Sequence, residues 1–166
     1  MPPTLPLIVM GSDSACDLTS HIIAFLRNKG YQLRLLGALE HPNDEKTCSP
    51  WAQVGLAVGR AVVAASAPDT TVLGIVCCWT GTGVSMAANK VPGVRCALCC
   101  DAPTASGARA WNDANICALS IRYTSLTIAE EILEAFLAPI DASKVDEVDR
   151  ANLQWFLSYD RENEKL

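Results

Sequence analysis

The residues that could do chemistry gather in one stretch of this 166-residue chain. Val72 to Lys90 reads VLGIVCCWTGTGVSMAANK: an apolar run stops at a pair of cysteines, crosses a Gly-rich turn and enters a helix-like segment. The run Val72 to Cys77 is uncharged and rich in β-branched residues, which suits a strand buried on both faces of a parallel sheet. Cys78 then falls at its carboxyl end. Ligands of open α/β sheets bind outside the carboxyl ends of the strands, and Gly81 and Gly83 would let the backbone approach a ligand with free N–H groups at the following helix start. The pattern therefore places a thiol beside an anion site.

A helix N-terminus favours the thiolate, so Cys78 could act as base or nucleophile. Spacing alone favours a plainer role, that of a small buried apolar residue. Cys77, one step earlier, should face the other side of the sheet and be structural. The same alternation argues against a redox pair, because vicinal cysteines on a strand point apart. The TGTG turn matches neither the dinucleotide fingerprint nor a Walker A loop. It could instead offer N–H groups to an oxyanion such as an enediolate.

The elements that must position these residues follow from pattern. Leu5 to Met10 is apolar and ends at Gly11-Ser12-Asp13-Ser14, after which a helical pattern runs through Leu18, Ile22, Ile23 and Leu26 to Gly30. Asp13 would share the sheet edge with Cys78 and could meet a substrate hydroxyl, although a helix N-cap is its commoner role locally. Tyr31 to Gly37 reads as a second strand, Glu40 to Pro50 as a connecting loop holding His41 and Cys48, and Trp51 to Ala65 as a helix. A lone loop histidine is more often solvated than catalytic. The Ala, Val and Gly of that helix call for close packing on the sheet or on a partner. Val94 to Cys100 reads as a fourth strand, Thr104 to Ala110 as a helix capped by Thr104 or Asp101, Trp111 to Asn115 as a polar turn, and Ile116 to Leu119 as a fifth strand. Thr127 to Leu137 reads as an amphipathic helix starting at a Thr cap, and Ser143 to Arg161 as a last, highly charged helix. The alternation predicts a single-domain, three-layer α/β/α sandwich of Rossmann-like type, with a mostly parallel five-stranded sheet and a C-terminal helical arm that suits either its own sheet or another subunit.

Totals narrow the function. A net charge of −5 without a basic cluster argues against nucleic acid. No stretch reaches the ~20 apolar residues of a membrane span. Eight cysteines beside a full apolar core and no leader-like opening read as reduced thiols of a cytoplasmic protein. The one CxxC, Cys96 to Cys99, lies in a strand-like run where positions three apart face opposite ways, so no metal site is expected.

The segment CCWTGTGVSMAANKVPGVRCALCCDAPTASGARAWNDANICALS resembles the core of the ribose-5-phosphate isomerase B and galactose-6-phosphate isomerase family (RpiB/LacA/LacB). That family's pattern runs C-G-T-G-x-G-x-S-x-A-A-N-K, then G-x-R-A, then a His-Asn-x-x-Asn segment, and the opening GSDS resembles its G-x-D-H. The resemblance implies an aldose–ketose isomerase that moves a proton between C1 and C2 of a sugar phosphate through an enediolate, without metal or cofactor, and its first implied reaction interconverts ribose 5-phosphate and ribulose 5-phosphate. It implies that Cys78 is the base, that Thr80, Gly81, Thr82, Gly83 and Ser85 hold sugar oxygens and the intermediate, and that Asp13 binds sugar hydroxyls. It further implies that Asn112 contacts the sugar end, that Arg122 and Arg150 bind phosphate, and that the site lies between the subunits of a homodimer, or of a dimer of such dimers.

Three departures matter. Trp79 replaces the Gly after the family cysteine and would reshape the pocket. Ser14 replaces a His near the phosphate, and Trp111 replaces the His that opens the furanose ring. His21 and His41, the two histidines present, lie outside the matching motifs. Either another group opens the ring, or the preferred sugar phosphate has none to open, as in erythrose 4-phosphate. A non-catalytic sugar-phosphate-binding module is the other reading.

Overall fold

The computed structural model describes residues 5–41, 48–67, 70–141 and 145–163. Five strands form one sheet in the order β2-β1-β3-β5-β4, and every neighbouring pair is parallel. They are β1 (Leu7–Ser12), β2 (Leu33–Gly37), β3 (Val72–Cys78), β4 (Cys96–Leu98) and β5 (Ile116–Ser120). The helices are α1 (Asp17–Asn28), α2 (Trp51–Ala65), α3 (Thr82–Ala88), α4 (Ala102–Asn112), α5 (Leu126–Leu137) and α6 (Glu147–Asn163). A short 3-10 turn, Ala38–Glu40, follows β2.

The strand at the centre is the longest, seven residues with none polar. All seven residues of β3 are buried, and its side chains divide between two cores. On one face Leu73, Ile75 and Cys77 pack with Ile22 and Leu26 of α1 and with Ile132, Leu133 and Phe136 of α5. On the other face Val72, Val76 and Cys78 pack with Val54, Val58 and Val62 of α2 and with Val84 and Ala88 of α3. The expected three layers are present, and Ile75, fully buried, would cost about 2–5 kcal/mol to truncate to alanine. α2 lies close on α3: a Cβ at Gly55 would stand 2.7 Å from the Ala87 Cβ and from the Val84 carbonyl.

Several boundaries differ from the sequence reading, each for a local reason. Asp13 does not cap α1. The cap is Cys16, whose backbone N–H donates to Thr19 Oγ1 at 2.9 Å. β4 keeps three residues of the expected seven, because the Arg95 N–H is taken by the Asn115 side chain (2.8 Å) before the ladder begins. α4 starts two residues earlier than expected, where Asp101 accepts from the Thr104 N–H at 2.7 Å. It also runs through Trp111 and Asn112, which are helical and not part of a turn; Asp113, at φ 47°, ends it. α5 is capped by Ser125 and not by Thr127, the Ser125 hydroxyl accepting from the Ile128 N–H at 3.2 Å.

α6 begins at Glu147, with the Asp146 carboxylate accepting from the Asp149 N–H at 2.9 Å. Ser143, the expected start, lies outside the described residues, as does most of the loop between His41 and Cys48. α6 packs against α4 and leaves Val148, Trp155 and Tyr159 exposed, the last two rings stacked 5.9 Å apart. Among the described residues no helix is long and apolar enough to cross a membrane.

Candidate active site

Parallel strands bring the carboxyl ends of β1, β3 and β5 to one edge, and that edge gathers most of the residues singled out above. Cys78 stands opposite Ser120 of β5, and Cys77 opposite Ser12 of β1. The Asp13 N–H donates to the Cys77 carbonyl at 3.3 Å. Burial pushes the Asp13 carboxyl above its ordinary value, against hydrogen bonds from the Ser14 hydroxyl (3.1 Å) and from the backbone N–H groups of Ser14 and Trp79. Cys78 itself is 5 % exposed and shares the α2/α3 face of the sheet. Cys77 lies on the opposite face, where full burial pushes its thiol far up.

The turn after β3 is held from several sides. The Gly81 N–H donates to the Cys78 carbonyl at 3.2 Å, and Gly81 takes a left-handed conformation (φ 75°) as the N-cap of α3. A Cβ there would come within 2.6 Å of Leu98, and one at Gly83 within 2.9 Å of the Trp51 ring. These glycines thus make room for protein neighbours as much as for a ligand. Thr80 and Thr82 share a hydroxyl hydrogen bond of 2.7 Å at the exposed surface. Ser85, one turn into α3, directs its hydroxyl to the Cys96 thiol, which burial nevertheless pushes up to about 12.

Beyond β5 the chain returns to the same edge. The Ile121 N–H donates to the Cys78 carbonyl and the Arg122 N–H to the Trp79 carbonyl, both at 3.0 Å. Arg122 therefore stands beside the thiol's strand, with its guanidinium carbon 5.6 Å from the Trp79 ring centroid. Sequence reasoning named both residues but not their contact, since 43 positions separate them and only the β3–β5 pairing joins them.

Trp111, Asn112 and Arg150 are elsewhere. Asn112 ends α4 ahead of the amino end of β5, whereas Cys78 faces its carboxyl end, so a strand of ~15 Å lies between them. Trp111 lies over Gly107 and, with Asn112, lines a cleft of about 480 Å³ closed by Leu153 and Phe156 of α6. Arg150, on α6, sits 3.5 Å from Glu147. A larger cavity of about 570 Å³ lies at the amino-terminal edge between Leu5, Tyr31, Thr71 and Leu133, away from Cys78. Among the described residues no group of histidine, cysteine and carboxylate side chains could hold a metal ion. His21, which the sequence left aside, pairs with Glu130 at 2.7 Å between α1 and α5.

Comparison with known proteins gives the family. A family model described as Ribose/Galactose Isomerase matches residues 8–152. The chain is 34% identical over 131 residues to ribose-5-phosphate isomerase B of Mycolicibacterium paratuberculosis, covering 78% of this chain and 77% of the relative. It is equally 34% identical over 131 residues to D-erythrulose-4-phosphate isomerase of Pectobacterium atrosepticum, covering 78% of this chain and 81% of that one. A 35% identical match to the DNA damage-repair/toleration protein DRT102 of Arabidopsis thaliana covers 80% of this chain but only 39% of the plant protein. Among solved structures, ribose-5-phosphate isomerase B of Clostridium thermocellum superposes with a TM-score of 0.78 at 32% identity, over 94% of this chain and 98% of that one. The chain belongs to the ribose/galactose isomerase family, and is an aldose–ketose isomerase of the ribose-5-phosphate isomerase B type.

Proposed function

We propose that this isomerase interconverts an aldose phosphate and its ketose through an enediolate, with Cys78 as the base. The observation that carries this reading is the thiol at the carboxyl end of the central strand, with Asp13, the Thr80–Gly83 turn and Arg122 grouped at the same edge. The thiolate removes the C2 proton of the open-chain aldose and the electron pair moves through C1 onto O1; the O2 proton then passes to O1, and the C2 carbonyl forms as the thiol returns its proton to C1. Donors of the turn, with Thr80 and Thr82, stabilise the oxygen on which charge develops. Asp13 and Ser14 hold sugar hydroxyls, and Arg122 meets the phosphate as a planar fork.

The site is completed by a second copy of the chain. Trp111, Asn112 and Arg150 lie too far from their own Cys78 to share its substrate, and a homodimer would set them across the opening of the partner. The exposed Val148 and Trp155 of α6 suit burial in such an interface.

The substrate is an open-chain or short sugar phosphate in preference to ribose 5-phosphate. Ser14 and Trp111 stand where the family has histidines, so no imidazole is offered for ring opening, and a tetrose 4-phosphate has no furanose to open. The relative named for D-erythrulose 4-phosphate is as similar to this chain as the one named for ribose 5-phosphate, so the likeness admits a four-carbon sugar without favouring it. Turnover of ribose 5-phosphate and erythrose 4-phosphate, compared as kcat/KM, should favour the tetrose; efficient use of the pentose with none of the tetrose would overturn it. The missing histidines also favour a second reading, a sugar-phosphate binder without turnover. Absence of C2 proton exchange with every aldose phosphate tried would establish that reading instead.

A further inference from the structure

Trp79 is the one large residue in an otherwise small-residue turn, and its ring does not enter the core; it is 59 % exposed. Its carbonyl accepts both the Arg122 N–H at 3.0 Å and the Ser120 hydroxyl at 2.9 Å. The Ser120 oxygen in turn accepts the Tyr123 N–H at 3.1 Å, and the Cys78 carbonyl accepts the Ile121 N–H. Three of these bonds fasten the end of β5 and the segment after it to Cys78 and Trp79, and the fourth braces that segment internally. The Arg122 guanidinium consequently lies against two rings, 5.6 Å from the centroid of Trp79 and 5.4 Å from that of Tyr123. Its N–H groups meet no acceptor among the described residues.

An exposed arginine samples many rotamers, and a ligand that requires one of them must bear the ordering cost. Aromatic contacts within about 6 Å attract the cation without consuming its in-plane donors. A guanidinium so placed is fixed in position while still able to bond a ligand. The fixed point is also tied to the thiol's own residue through the backbone, so thiol and cation keep a set separation.

We propose that Trp79 is a positioning residue, whose ring holds Arg122 ready as the anchor for a phosphate monoester dianion beside Cys78. The proposal rests on the isomerase reading for its choice of ligand, but its test does not require turnover. Binding of inorganic phosphate is measured by 31P NMR titration at constant ionic strength for wild type, Trp79→Phe, Trp79→Leu and Arg122→Ala. Loss of Arg122 should abolish binding. Trp79→Leu should weaken it about fivefold, the scale of one lost cation–π contact, and Trp79→Phe should stay within about twofold of wild type. Where turnover is measurable, Trp79→Leu should raise KM about fivefold with kcat nearly constant, a split that mere loosening of the fold would not give.

Phosphate affinity in Trp79→Leu equal to wild type would overturn the proposal, as would equal losses in the Phe and Leu variants. So would a wild type that binds no phosphate, or an Arg122→Ala protein that binds it normally. A protein that turns over no aldose phosphate yet shows this dependence on Trp79 would overturn the isomerase reading and support the positioning role.

Discussion

Two polar clusters lie at opposite edges of the sheet, and they treat similar side chains differently. At the amino-terminal edge Arg95 donates through Nε to the Asp113 carbonyl (2.7 Å) and through its terminal nitrogens to the Asp113 carboxylate (2.9 Å) and the Gly93 carbonyl (3.1 Å). Asn115 accepts from the Arg95 N–H and donates to the Gly93 carbonyl, while Asn89 exchanges two 2.8 Å bonds with Cys96. Every one of these groups is committed inside the protein, to backbone in all but the Arg95–Asp113 ion pair. At the carboxyl edge the Arg122 guanidinium has, among the described residues, only ring contacts, and Thr80 and Thr82 bond mainly each other. Polar groups consumed internally hold a fold together; those left available beside a thiol are what a ligand can use.

The sharpest way to break this contrast is to exchange the two adjacent cysteines. Cys78→Ser should lower kcat/KM on the preferred sugar phosphate about a thousandfold while binding persists, as loss of a proton-transferring group does. Cys77→Ser places a hydroxyl in the fully buried α1/α5 core and should cost about 1–3 kcal/mol in chemical denaturation with activity kept. If the two phenotypes were interchanged, the assignment of the two faces would be wrong.

Asn115→Ala tests the committed cluster. It strands the Arg95 N–H and takes one of two donors from the Gly93 carbonyl, which keeps Arg95, so about 1–3 kcal/mol of stability should be lost, with kcat/KM within twofold of wild type. A large loss of activity at unchanged stability would show that this edge also serves the reaction.

Asp13→Asn gives the smallest stability effect and carries a pH signature. Burial holds the Asp13 carboxyl above its ordinary value, so the native state retains a proton that the unfolded chain has already released between those two values. Stability contributed by Asp13 is therefore present at low pH and falls as pH rises through the raised native value. The amide should raise Tm by about 1–2 °C at neutral pH, a gain that vanishes below about pH 4, while lowering activity. Equal Tm values for both proteins at every pH would remove the burial argument.

Much of this was readable from residue order. The uncharged seven-residue run ending at Cys78 marked the central strand, since a strand of that length covered on both faces can dispense with polar positions, and the turn and helix after it followed. Asp13 at the shared edge followed from parallel strands. The Cys16 cap escaped because cysteine is not a usual capping residue, so Asp13 and its serine neighbours carried the local signal. β4 was overestimated because VRCALCC has strand composition, while its first residues are claimed by Asn115, 20 positions away. The separation of Trp111 and Asn112 from Cys78 follows from order in parallel strands, since residues just ahead of β5 adjoin its amino end; what residue order did not give is that α4 extends through both to Asp113.

The turn between β3 and α3 has one more consequence. Gly81 admits Leu98 from the edge strand, and Gly83 lies against Trp51 from the start of α2. A Gly-rich segment between two wedges is not a hinge, whatever its composition suggests. The Gly81 amide proton, bonded to the Cys78 carbonyl, should exchange with solvent only when β3 itself opens, so the segment that meets the substrate is anchored in the slowest-exchanging part of the chain.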